Sequence, residues 1–305
     1  MKKVTKQYSL TKKIIFSLIA ILWFILILEL CLQGAGFVLQ RLSKPELKSG
    51  RKGIVCVGDS HTYGVFVAKE EAYPFQLEQL LNKNSNKYQV INLGAPGINS
   101  SQILRDLNGI IKDYHPLAVV VLVGINNGWN IACQGIGFRQ TALMKLKLYK
   151  MGRFIYFQYF KKDKSYMVVK PRDKKERIYH IERKELPEED AELRAIQRIF
   201  IQDLMNIIKL CQENDVKIVL MNYAGDKEFN YFIPNQLTQQ VAEKTGVPMM
   251  DNYSYFLSQL YNSEGILNQE LHKKLFLKDM HLSPLGYRIM AENLYKTLIE
   301  NGIVE

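Results

Sequence analysis

From Gly53 onward, short apolar runs alternate with amphipathic stretches along the chain. The runs at Gly53–Val57, Tyr88–Leu93, Leu117–Val123, Lys217–Asn222 and Val247–Asp251 have the length of strands, and LAVVVLV is continuously apolar, as a strand covered on both faces must be. Between them, 3.6-residue periodicity predicts helices at Tyr73–Asn82, Ser100–Asp113, Asp190–Asn214, Pro234–Thr245 and Ser283–Asn301. This alternation predicts βαβ units and a doubly wound α/β sheet of about five parallel strands. Ligands of such sheets bind outside the carboxyl ends of the strands. The segment from about 130 to 189 interrupts the pattern after the third strand, with a predicted helix near Thr141–Phe160 and the charged stretch KPRDKKERIYHIERKELPEED. A loop that long inside a compact domain is usually functional or partly disordered.

Before this pattern, Ile14–Leu32 is apolar apart from Ser17 and Glu29. As a helix, 19 residues span about 29 Å, close to the hydrocarbon thickness of a bilayer. A cleaved signal peptide is the competing reading. The run is longer than a usual signal core, no A-x-A site follows, and Leu28-Glu29-Leu30 before Cys31 is a poor lipoprotein cleavage context. The predicted organisation is a basic cytoplasmic N-terminus (1–13), a transmembrane helix (14–32), a linker (33–52) and a folded domain (53–301) outside the cytoplasm, its insertion at about 130–189. The orientation follows from five lysines before the span against Arg41, Lys44 and Lys48 after it.

The net charge of +11 is unevenly placed. Residues 139–184 hold 15 basic and 4 acidic side chains, and the first 13 residues hold five lysines and no acid, which leaves 21 bases and 26 acids elsewhere. The basicity therefore belongs to two segments, neither with a nucleic-acid-binding signature, and no nucleic-acid partner is expected. Lys145, Lys147, Lys150 and Arg153 alternate with Leu143, Leu146, Met151, Phe154 and Tyr156, a pattern suited to a lid, to contact with anionic lipid or envelope polymer, or to a solvated face. With 47% hydrophobic and 23% charged residues the chain is globular rather than disordered. Its four cysteines are far apart, so no zinc ribbon or disulfide framework is expected, and Cys56 and Cys211 read as buried thiols. The five histidines never pair at metal-ligand spacing, so neither metal nor cofactor is expected.

Candidate chemistry sits at the strand ends. GIVCVGDSHTYG runs a strand into Gly58-Asp59-Ser60, where a serine can face a pocket as a nucleophile. The second strand ends in NLGAPGINSS, where Gly94 and Gly97 would let the backbone approach a ligand, and the third ends in GINN with Asn126 at its tip. An amide N–H and an asparagine amide aimed at one point are the parts of an oxyanion hole, although Gly, Pro and Asn are also ordinary turn residues. Near the C-terminus, KDMHLSPLGYRIMAENL places His281 on a loop before a helix. His115 and His272 read as surface or satisfied residues, His61 as a contact to substrate or to the residues behind the site rather than as its base, Asp59 as an acceptor for turn amides, and Asp251 as a helix N-cap.

These four blocks, in this order, resemble the SGNH (GDSL-type) esterase and acyltransferase family over roughly Gly53 to Leu298, the insertion excepted. The resemblance implies a flavodoxin-like three-layer sandwich and an acyl-enzyme mechanism. In it Ser60 is nucleophile and oxyanion donor, Gly97 and Asn126 are further oxyanion donors, and His281, followed by Leu-Ser-Pro-x-Gly, is the general base. Two positions depart from the family pattern. Asn127 stands where an aspartate is usual, and Lys278 stands at the position of the orienting acid, three residues before the histidine. The available carboxylate, Asp279, is two residues before His281, so either Asp279 completes a triad or a Ser–His dyad operates. With an exported location, the expected activity is hydrolysis or transfer of short O-acyl esters on envelope carbohydrate. A lipase or thioesterase with the same site, or an inactive binding module, are the alternatives.

Overall fold

The computed structural model describes residues 9–42, 45–127, 143, 146–149, 151–152, 155, 167–173, 178–183, 191–227, 231–278 and 280–305. The chain forms two compact units, residues 1–46 with 136–163, and residues 47–135 with 164–305.

In the first unit, α1 (Leu10–Leu42) is 33 residues long, well beyond the predicted span of 14–32. Among the described residues it is the one helix long and apolar enough to cross a membrane. Its apolar side chains, Phe16, Leu22, Trp23 and Phe24 among them, are exposed rather than packed on a core. Glu29 is the one buried side chain of α1 among the described residues, and it is fully engaged. Its carboxylate accepts from Gln33 Nε2 at 2.6 Å and from the backbone N–H groups of Lys147 and Leu148 at 2.8 and 2.9 Å.

The second unit carries a five-stranded parallel sheet of β1 (Lys52–Gly58), β2 (Tyr88–Asn92), β3 (Ala118–Leu122), β6 (Lys217–Met221) and β7 (Met249–Met250), in the order β2-β1-β3-β6-β7. Counted within this sheet the order is 2-1-3-4-5, the doubly wound arrangement of flavodoxin-like folds, with its switch point between β1 and β3. Register pairs Cys56 with Asn92 on one side and Val120 on the other. Alternation along β1 divides the core: Ile54 and Cys56 point into one layer, Val55 and Val57 into the other. Both layers are helical, which is why the strands read as unbroken apolar runs. Burial pushes the Cys56 and Cys211 thiols up to about 12, keeping them protonated and inert as the sequence predicts.

The helices are α2 (Ser60–Tyr63), α3 (Tyr73–Leu81), α4 (Ser100–Tyr114), α5 (Ala191–Glu213), α6 (Phe232–Thr245), α7 (Asn252–Leu260), α8 (Gln269–Leu275) and α9 (Pro284–Glu300). The five helices predicted between the strands appear within about two residues of their expected ends, as is normal for caps and frayed turns, whereas α2, α7 and α8 have no counterpart in the predicted pattern, and most of the helix predicted near Thr141–Phe160 lies outside the described residues. The fifth strand shrinks to two residues. Within the insertion the described residues include a hairpin of β4 (Met167–Asp173) and β5 (Ile178–Arg183), an antiparallel pair separate from the main sheet.

Candidate active site

β1 ends at Gly58, Asp59 caps the next helix, and Ser60 is its first residue. This abrupt strand-to-helix turn requires glycine at two places. A Cβ on Gly58 would strike the Leu122 carbonyl and the Thr62 side chain, whose Cβ is 2.9 Å away. A Cβ on Gly94 would lie 2.7 Å from Thr62 C and 2.8 Å from Tyr63 Cα, and closer still to Tyr63 N. Gly94 thus lets the backbone of α2 lie against the end of β2, and the expectation that it brings backbone to a ligand is corrected. Asn92 secures the same junction, donating to the carbonyls of Thr62 at 3.0 Å and Tyr63 at 3.3 Å while accepting from Gly94 N at 2.9 Å.

His281 reaches Ser60 from the far end of the chain, with Nε2 2.9 Å from Ser60 Oγ. Its loop is closed by the Phe276–Leu282 bridge, by Leu277 N–H donating to the His281 carbonyl at 2.7 Å, and by Ser283 capping α9. Met280, the residue before it, is held at φ +67, in the left-handed region. Lys278 is exposed, and Asp279 lies outside the described residues.

The oxyanion candidates stand at neighbouring strand ends. Gly97 adopts φ +76, with nothing within 4 Å of where its Cβ would be. Asn126 lies four residues beyond β3 and donates Nδ2–H to the Ile98 carbonyl at 3.2 Å, which ties the β3 tip to the Gly97 turn and leaves the second amide hydrogen directed elsewhere. The chain therefore brings Ser60, Gly97 and Asn126 to the carboxyl ends of β1, β2 and β3, around the switch point, and adds His281 to Ser60.

A buried layer supports these residues. His61, only 3% exposed, stacks on the His281 ring (centroids 4.5 Å apart, planes 18° apart) and shares a 3.2 Å hydrogen bond between Nε2 and the Tyr231 hydroxyl. It is a neighbour of the base, as expected, but its burial removes it from contact with substrate. Asp59 accepts from His61 N–H at 3.0 Å, as predicted for a turn acceptor, and also from the Tyr223 hydroxyl at 2.5 Å. Burial pushes the Asp59 carboxyl up to about 6, against the opposing pull of the Tyr223 hydroxyl, the His61 amide and the charge of a protonated His281. Tyr223 in turn accepts from Ile125 N–H at 3.3 Å, so it joins the ends of β1, β3 and β6.

Asn127, one of the two departures from the expected pattern, is buried: Oδ1 accepts from Ser100 N–H at 3.1 Å and Nδ2 donates to Ser100 Oγ at 2.8 Å. Ser100 and Ser101 then donate to Asp203 at 2.6 and 2.5 Å. Tyr223, Tyr231, Ser100 and Asp203 carried no sequence signal, since a tyrosine after a strand or a serine opening a helix is commonplace. Asp251 caps α7 as predicted, and His272 is satisfied by Asp226 at 2.8 Å.

Comparison with known sequences bears on this arrangement. The profile of the GDSL-like Lipase/Acylhydrolase family matches residues 56–289, most of the chain and every strand end described above. The chain belongs to this family. No curated protein matches its sequence. Among solved structures, it is similar to an acetyl xylan esterase, AlAXEase (17% identity, 81% of this chain and 99% of that one, TM-score 0.50), and to the lipase/acylhydrolase from Enterococcus faecalis (15%, 83% and 97%, TM-score 0.50). At these identities the likeness is one of fold. Family membership makes the chain a GDSL-type hydrolase.

Proposed function

We propose that this GDSL-family chain is a membrane-anchored, extracytoplasmic serine esterase acting on short O-acyl esters of envelope carbohydrate. The observation that carries the reading is the 2.9 Å contact between Ser60 Oγ and His281 Nε2 beside the Gly97 and Asn126 turns. In this mechanism His281 takes the Ser60 proton as Oγ attacks the ester carbonyl. The amides of Ser60 and Gly97 and the free N–H of Asn126 stabilise the oxyanion. His281 returns the proton to the departing alcohol, and water, activated the same way, releases the acid from the acyl-enzyme. The imidazole is steadied by the His61 stack, with Asp279 or a backbone carbonyl at Nδ1.

The anchor rests on the length and apolar exposure of α1, and the orientation on the lysines preceding it. Carbohydrate as substrate follows from an active domain tethered at the outer face. A fluorophosphonate probe tests the nucleophile: the parent labels at Ser60 and Ser60→Ala does not, whereas an unlabelled parent defeats the reading. Extraction of membranes at alkaline pH should leave the full chain in the pellet, and its release would refute the anchor. Supplying an acyl donor with a sugar acceptor, and looking for acylated sugar, separates transfer from hydrolysis.

A further inference from the structure

Phe66 combines two features that each work against the fold. It is a bulky residue at φ +69, a left-handed backbone that L side chains rarely adopt, and its side chain is 72% exposed. Single exposed apolar residues are ordinary, but here exposure is joined to backbone strain, and strain of this kind concentrates at functional sites. The core gains nothing from Phe66, because the neighbouring Val67 is the residue of this segment that packs inward. What Phe66 does touch is the His281 ring, at 5.5 Å between centroids and 80° between planes. His61 covers the buried side of that imidazole, so Phe66 and His281 form a right-angled corner on the solvent side.

The chemistry of acyl transfer says which part of an ester meets that corner. The proton on His281 Nε2 must pass to the oxygen of the departing alcohol, so that oxygen comes within about 3 Å of Nε2. The carbonyl oxygen lies instead toward Gly97 and Asn126, on the ends of β2 and β3. Residues flanking His281 therefore meet the alcohol portion before the acyl chain. An exposed aromatic face beside a leaving alcohol suits a flat or ringed group with apolar C–H bonds on one side.

We infer that the Phe66 ring is the stacking wall of the alcohol subsite and selects esters whose alcohol is a pyranose ring. This rests on the esterase reading above and specifies its leaving-group side. The test uses the full-length chain in detergent, with an acetylated methyl glucoside and ethyl acetate as substrates sharing one acyl group, and ethyl butyrate to vary the acyl chain alone. In both Phe66→Leu, which keeps an apolar side chain, and Phe66→Gly, the ratio of kcat/KM for the sugar ester to that for ethyl acetate should fall about tenfold, the scale of one aromatic contact. The acetate-to-butyrate ratio should hold. Glycine accepts φ +69 freely, so Phe66→Gly should melt at or above the parent temperature, and loss of fold will not mask the result. A sugar-to-ethyl ratio in Phe66→Leu within about twofold of the parent would overturn the inference, as would a change confined to the acetate-to-butyrate ratio. Fluorophosphonate labelling keeps the two readings apart: a labelled parent with an unmoved ratio defeats the Phe66 assignment alone, and an unlabelled parent defeats the esterase reading.

Discussion

Replacing Gly94 with alanine tests how tightly the nucleophile is located by backbone packing. The added methyl would lie 2.7 Å from Thr62 C and 2.8 Å from Tyr63 Cα, where ordinary carbon contacts sit at about 3.5–4.0 Å. Backbone must therefore move by roughly 1 Å, and the atoms in the way belong to α2, four residues long with Ser60 at its first position. Asn92 holds the Thr62 carbonyl at 3.0 Å, so α2 cannot retreat without losing that bond as well. Overpacking of this kind costs about 1–3 kcal/mol, which for a domain of this size lowers the melting temperature by roughly 3–10 °C. The Ser60–His281 contact starts at 2.9 Å and would be stretched out of hydrogen-bonding range, and a misplacement of about 1 Å can cost about 100-fold in rate. Thermal melting with parallel p-nitrophenyl acetate hydrolysis reads both effects. Gly97→Ala is the matched control: its Cβ meets nothing within 4 Å, and only its φ of +76 is strained, so it should lose stability without displacing α2. A Gly94→Ala protein with the parent's melting temperature and rate would refute the packing argument.

Other consequences can be measured with the same preparation. Asn126→Ala should lower kcat by about 10²–10³ through loss of an oxyanion donor, and a near-neutral result would remove Asn126 from the site while leaving Ser60 in place. Asp59 holds its proton in the native state up to a pH of about 6, whereas the unfolded chain releases it near 3.8, so native stability should decline as pH rises between these values, by on the order of 3 kcal/mol. Denaturant melts across that window should show this decline in the parent and not in Asp59→Asn; equal slopes would refute it. Association of the full chain with anionic liposomes, beyond that with neutral ones, should weaken with salt if the basic 139–184 segment makes the contact, and a salt-independent excess would count against it.

The parts of the molecule legible in its sequence are those where local pattern and final environment agree. Strand β3, and β1 after Lys52, carry no polar side chain because both faces are covered, and a serine, a glycine and an asparagine follow the first three strands at the edge where a doubly wound sheet keeps its ligands. The β4–β5 hairpin has no legible strand pattern because its apolar residues do not alternate with polar ones and it lies inside a charged stretch that reads as solvated. Strand β7 came out short because only Met249 and Met250 meet β6. The support beneath the site was illegible for a different reason. The His61–Tyr231 bond joins residues 170 apart and the Ser100–Asp203 bond residues 103 apart, so neither has a local pattern to betray it. Gly94 was misread because a close approach by α2 and one by a ligand demand the same residue.

The carboxylate of Glu29 bears on the fate of the N-terminal helix. It closes two main-chain amides that lie 118 and 119 positions further along the polypeptide. A leader trimmed off after export would carry that acceptor away, leaving Lys147 and Leu148 to find replacements in water or lipid headgroups. By this bond the hydrophobic segment is held twice over, through the peptide chain and through a fold-back made more than a hundred residues later.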